Sequence, residues 1–92
     1  MIIRTAMPAD APALTQLELA FPTRQRWSET SWLEEINGED RLVEVAVTAV
    51  DGVIACASWH HAGDTADLDR IVVAGKHRRL GIAGRLLRRG IA

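Results

Sequence analysis

Leu68-Asp69-Arg70-Ile71-Val72-Val73 passes through Ala74-Gly75-Lys76-His77 into Arg78-Arg79-Leu80-Gly81-Ile82-Ala83-Gly84. The order is an apolar strand, a glycine-bearing turn and the start of a helix. The first turn of a helix leaves N–H groups without intrahelical partners, and the aligned peptide dipoles put partial positive charge there, so the segment suits a phosphate or pyrophosphate. Gly81, Ala83 and Gly84 are small enough to let phosphate oxygens approach the backbone. A P-loop is a poor match, because Gly75-Lys76 is followed by His77 rather than Ser or Thr and the upstream glycine spacing is absent.

Working outward, residues 2–5 read as a short strand. Pro8-Ala9-Asp10 opens a helix, with Asp10 as its cap or first-turn acid. Ala13, Leu14, Leu17, Ala20 and Phe21 then recur at helical spacing until Pro22 stops it. A loop over residues 23–27 carries Arg24 and Arg26. Ser28 caps a second helix with Trp32, Leu33 and Ile36 on one side, and Asn37-Gly38 suits a left-handed stop. Across residues 41–50 Val43, Val45, Val47 and Ala49 alternate with Leu42, Glu44, Ala46 and Thr48, which is a strand with one strongly apolar face. Asp51-Gly52 turns the chain into an antiparallel partner over residues 53–60. A further strand near residues 66–73 precedes the last helix, which points Ile82, Ala83, Leu86 and Leu87 inward and Arg85, Arg88 and Arg89 outward. The fold class is α/β of the α+β type: a mixed, mostly antiparallel sheet flanked by helices, in one domain over residues 1–92.

Ninety-two residues allow one modest core. A hydrophobic content of 48% is too high for disorder, and no apolar run approaches the roughly 20 residues of a membrane span. The N-terminus lacks the basic-then-apolar pattern of a secretory signal, and a single cysteine forms no internal disulfide, so a reducing cytoplasm is the natural setting and no membrane partner is expected. The net charge of −1 hides an asymmetry: residues 1–69 hold four basic and twelve acidic residues, net −8, while residues 70–92 hold seven basic residues and no acidic one, net +7. The bland reading of the basic end is a solvated helix face. The functional one is attraction of an anionic ligand at that end and of a cationic amine by the acidic part. Nucleic-acid binding through the basic helix is disfavoured by its interleaved apolar stripe.

The spacing Arg78-x-x-Gly81-x-Ala83 resembles the acyl-CoA signature Q/R-x-x-G-x-G/A of the GNAT superfamily of N-acetyltransferases. Pro8-Ala9-Asp10, Phe21-Pro22, and Trp27-Ser28-Glu29 leading into Trp32-Leu33-Glu34-Glu35 are similar to the RimI-type ribosomal-protein alanine N-acetyltransferases. The likeness covers nearly all of the chain but only the front part of such a domain, so the expectation is a partial GNAT fold truncated after the pyrophosphate-binding helix. It implies transfer of an acetyl group from acetyl-CoA to a primary amine, a protein N-terminal amine for the RimI-like case. Alternatives are a small-amine acetyltransferase and a non-catalytic acyl-CoA-binding module. The resemblance also implies cofactor contacts: backbone groups of Ile71, Val72 and Val73 on the pantetheine arm and thioester, and amides of Arg79, Leu80, Gly81, Ile82, Ala83 and Gly84, with Arg78, on the pyrophosphate. RimI-like enzymes use a tyrosine acid and a glutamate base from the part of the fold beyond this likeness, and this sequence contains no tyrosine.

For the base, Asp67 falls where several GNAT enzymes place a strand carboxylate. By the two-residue period Asp67 and Asp69 share a face with Ile71 and Val73. Adjacent His60 and His61 point to opposite faces and make a poor chelate, so no metal is expected. Cys56 reads as a small core residue, and Trp27, Trp32 and Trp59 as packing. The strand over residues 66–73 forms an apolar edge open to pairing with a second copy of the chain.

Overall fold

The computed structural model describes residues 1–78 and 81–91. Its elements are β1 (Ile2–Thr5), α1 (Ala11–Leu17), α2 (Glu29–Asn37), β2 (Arg41–Thr48), β3 (Gly52–Ala62), β4 (Thr65–Val73) and α3 (Ile82–Ile91). The four strands form one sheet in the order β1-β2-β3-β4, and each described pairing is antiparallel. Short turns join β2 to β3 and β3 to β4, while β1 reaches β2 across α1 and α2, which leaves β1 and β4 at the two edges.

The sheet is apolar on both faces, so it lies between two helical layers. On one side Val43, Val45, Cys56 and Val72 meet Leu14 of α1 and Trp32 of α2, both fully buried. On the other, Ala46, Ala55, Ala57 and Trp59 meet Ile82 and Leu86 of α3. Arg85, Arg88 and Arg89 are exposed, as the stripe of α3 requires. Glu44 is the polar exception under α3; Arg89 Nη2 lies 3.4 Å from both of its oxygens.

Local chemistry fixes the helix ends. Asp10 takes a bidentate pair from Arg4 at 2.7 and 3.0 Å and accepts the Met7 N–H at 2.8 Å, tying β1 to the first helical turn. That geometry holds the Asp10 carboxyl below the usual carboxylate range, chiefly through the Arg4 hydrogen bond. Ser28 caps α2 by accepting the Ser31 N–H at 3.1 Å. The stop after Asn37 is not left-handed, however. Gly38 has φ −70°, and glycine is needed there because a Cβ would stand 2.6 Å from Arg41 Cγ and 3.3 Å from the Glu34 carbonyl oxygen.

A second departure lies in β4. Ser58 opposes Arg70 and Trp59 opposes Leu68, so Asp69 is an extra, unopposed residue. This bulge reverses the alternation before it. Ile71 and Val73 face α3, while Asp67, opposite His60, shares the α1/α2 face with Arg70 and Val72. Asp69 reaches Arg41 at 3.2 Å. Neither aspartate therefore shares a face with Ile71 and Val73, because a period-two count cannot see an inserted residue.

Candidate functional site

The chain leaves the open edge of the sheet at Val73, turns through the 3-10 segment Gly75–His77 and enters α3 at Ile82. Gly81 makes the final swing with φ +77°, a left-handed conformation that favours glycine, and the space where a Cβ would stand is empty. The Arg85 N–H bonds the Gly81 carbonyl at 3.2 Å. The amides of Ile82, Ala83 and Gly84 precede that bond and belong to the first turn, where no intrahelical acceptor exists.

Between this turn and the edge of β4 lies a cleft of about 530 Å³. Ile71, Val72 and Val73 line it from the strand, and Arg78, Gly81, Ile82 and Ala83 from the turn and helix start. The end of the strand and the start of the helix thus face one cavity. Gly84 is half-buried and is not among the cleft residues; a Cβ there would meet only the mobile end of Arg88, at 3.2 Å. Arg79 and Leu80 lie outside the described residues. Asp67 is exposed and does not line the cleft.

Ala20, Phe21 and His77 complete the wall, and the sequence reading missed them as site residues. Phe21 followed the helical apolar period and so read as core; only its place at a helix end before Pro22 hinted at a lip. His77 is held by Asp51 of the β2–β3 turn at 3.1 Å, and Lys76 donates to the other oxygen of the same carboxylate at 2.9 Å. The Lys76 hydrogen bond, more than any other influence, keeps the Asp51 carboxyl below its usual range. Arg78 Nε donates to the Val73 carbonyl at 3.2 Å, bracing the turn against the strand end.

Behind Phe21 stands Arg70. Its guanidinium lies 4.5 Å from the centroids of both the Phe21 and Trp27 rings, and its Nη1 donates to Glu18 Oε2 at 2.9 Å. Glu18 is only 1% exposed, and burial pushes its carboxyl up despite the arginine. Trp27 in turn packs on Trp32 with ring centroids 4.7 Å apart. Cys56 is buried under the sheet with its thiol pushed up to about 12 by burial, so it is no nucleophile. Among the described residues no group of three or more His, Cys, Asp or Glu side chains is placed to hold a metal ion, and no helix is long and apolar enough to cross a membrane.

Residues 4–92 of the chain that builds this cleft match the acetyltransferase (GNAT) family. The chain belongs to the GNAT family. Among solved structures it is similar to the ribosomal-protein-S18-alanine N-acetyltransferase from Escherichia coli, at 28% identity and a TM-score of 0.77 over 96% of this chain. It is also similar to an aminoglycoside 6'-N-acetyltransferase complexed with coenzyme A, at 25% identity and a TM-score of 0.80 over 97% of this chain. The BH1408 protein from Bacillus halodurans, at 16% identity and a TM-score of 0.80, supports the fold alone. The chain spans 55%, 52% and 72% of those three proteins respectively. No curated protein matches it.

Proposed function

We propose that this GNAT chain binds acetyl-CoA in the cleft and serves transfer of the acetyl group to a primary amine, a protein N-terminal amine in the RimI-like manner, in the cytoplasm. The carrying observation is that Ile71, Val72 and Val73 and the Arg78, Gly81 and Ala83 turn line one cavity. The residues fit the ligand: the strand edge offers backbone groups and apolar side chains to a pantetheine arm, and the start of α3 offers amides and positive potential to a pyrophosphate. When bound, acyl-CoA supplies an acyl group activated as a thioester. The chain's part is to align that thioester along the free edge of β4, where amides of residues 71–73 can stabilise negative charge on its carbonyl oxygen. Arg79, Leu80 and Gly84 are proposed as further contacts on the phosphate side.

Asp67 is the proposed strand carboxylate. It stands four residues before Ile71, on the order of 10 Å along a strand, so it would deprotonate the amine through water rather than directly. A second acceptor class is favoured by the likeness to the aminoglycoside 6'-N-acetyltransferase and by the −8 charge of residues 1–69, which suits a cationic small amine. A non-catalytic acyl-CoA-binding module is the remaining alternative. We also propose that the open edge of β4 pairs with a second copy of the chain when no acyl-CoA occupies it.

Thiol release from acetyl-CoA, with an alanine-initiated peptide or an aminoglycoside as acceptor, tests the transferase reading. Turnover by these 92 residues should be slow, because no tyrosine is present to act as acid, but dependent on added amine. No release above the protein-free background with either amine would overturn transfer and leave the binding module. Fast, amine-dependent release that Asp67→Asn abolishes would make Asp67 the base and dispense with a phenolic acid.

A further inference from the structure

We infer that Phe21, held in place by Arg70, sets the length of acyl chain the cleft accepts. The inference rests on the acyl-CoA reading. The phosphate turn follows Val73, whereas Arg70 and its stacked Phe21 precede Ile71, so a ligand with its phosphates at the turn and its arm along the strand brings its acyl end to Phe21.

A wall selects by size only if it does not yield. Phe21 is fixed from several directions. Its N–H bonds the Glu18 carbonyl at 2.9 Å, its carbonyl accepts from Arg26 Nε at 2.8 Å, and Pro22 follows it. Its ring rests on a guanidinium whose far face is covered by Trp27 and whose Nη1 is committed to the buried Glu18. Moving Phe21 aside would uncover Arg70 and loosen its 2.9 Å hydrogen bond to the Glu18 carboxylate, which is unfavourable for a charge so far from water. Arg70 is therefore a positioning residue: it acts through Phe21. It faces this cluster because it alternates with Ile71 and shares the α1/α2 face with Val72.

Calorimetric titration of the 92-residue chain with CoA, acetyl-CoA and octanoyl-CoA tests the assignment, using Phe21→Ala, the milder Phe21→Leu, and Arg70→Met combined with Glu18→Gln so that no buried carboxylate is left unpaired. The parent should bind octanoyl-CoA at least about tenfold more weakly than acetyl-CoA, since misfit of a few methylenes is worth that much. Phe21→Ala and the double variant should remove most of that gap, Phe21→Leu part of it, and all should bind CoA itself within about threefold of the parent. Binding of CoA by the variants also shows that they are folded. If the parent binds both thioesters equally, or if the gap survives in Phe21→Ala while CoA still binds, the assignment is wrong. If CoA does not bind the parent, the acyl-CoA reading itself fails and the gate falls with it.

Discussion

Asp51 and His77, 26 residues apart in the chain, meet at 3.1 Å, so the tip of the β2–β3 hairpin is bonded to the segment that leads from β4 toward α3. Lys76 doubles the link from the adjacent position. The hairpin is the rigid partner, because β2 and β3 run through the centre of the sheet, whereas residues 74–78 follow the edge strand β4. Asp51 thus orients the turn without lining the cleft.

Asp51→Asn should weaken CoA binding by roughly twofold to fivefold, the range expected for an exposed ionic link, while thermal unfolding hardly moves. The folded Asp51 carboxyl sits below its ordinary range. Its contribution is therefore full above the ordinary aspartate value and is lost as pH falls through the lower folded value. Near neutral pH the parent's affinity should be insensitive to this group, and a titration of CoA against Asp51→Asn that matches the parent would remove Asp51 from the account.

Glu18 has the opposite sign. Burial raises its folded value, so the folded chain holds this proton at pH values where the unfolded chain has released it. The stability it contributes is complete below the ordinary glutamate value and declines as pH rises through the folded one. Glu18→Gln should flatten that decline, with the variant gaining on the parent as pH rises toward neutrality. Urea unfolding at several pH values measures this directly, and parallel curves for the two proteins would contradict it.

Much of this was legible in the sequence because single-element chemistry announced it. Ser28 as a cap, the Asp51-Gly52 turn and the inward stripe of α3 follow from rules that need only neighbours within one element. The passage from the end of β4 to the start of α3 was legible as strand, glycine turn and helix because glycine positions report backbone conformation directly, and Gly81 takes a left-handed φ. What escaped is what depends on distant parts of the chain. The bulge at Asp69 is defined only against Trp59 and Ser58 on β3. The Arg70 stack needs Phe21 and Trp27 brought from the segment between α1 and α2, and Gly38 is required by Arg41 packing over it rather than by its own φ.

The β4 edge makes a separate claim. Val72 is only 5% exposed and points into the α1/α2 core, so it cannot be the side chain that governs pairing at that edge. Leu68, 41% exposed, is the appropriate probe. If β4 pairs with a second copy, sedimentation should show association rising with concentration, and Leu68→Lys should suppress it by placing a charge on the strand. A monomer at every concentration, unchanged in Leu68→Lys, would show that the edge does not self-pair.

The central claim, that the cleft at the start of α3 binds the phosphates of an acyl-CoA, is tested most directly at Ala83. An acidic residue in the first turn favours the helix itself, so Ala83→Asp should leave thermal stability unchanged or slightly raised while opposing a bound pyrophosphate. The substitution separates binding from folding better than one at Gly81, where φ +77° would strain any side chain. Calorimetry at fixed, moderate salt should find CoA bound saturably by the parent and at least about tenfold more weakly by Ala83→Asp, because like charge meets phosphate where positive potential is needed. Equal affinity in parent and variant, or a parent that binds duplex DNA but not CoA, would contradict the account.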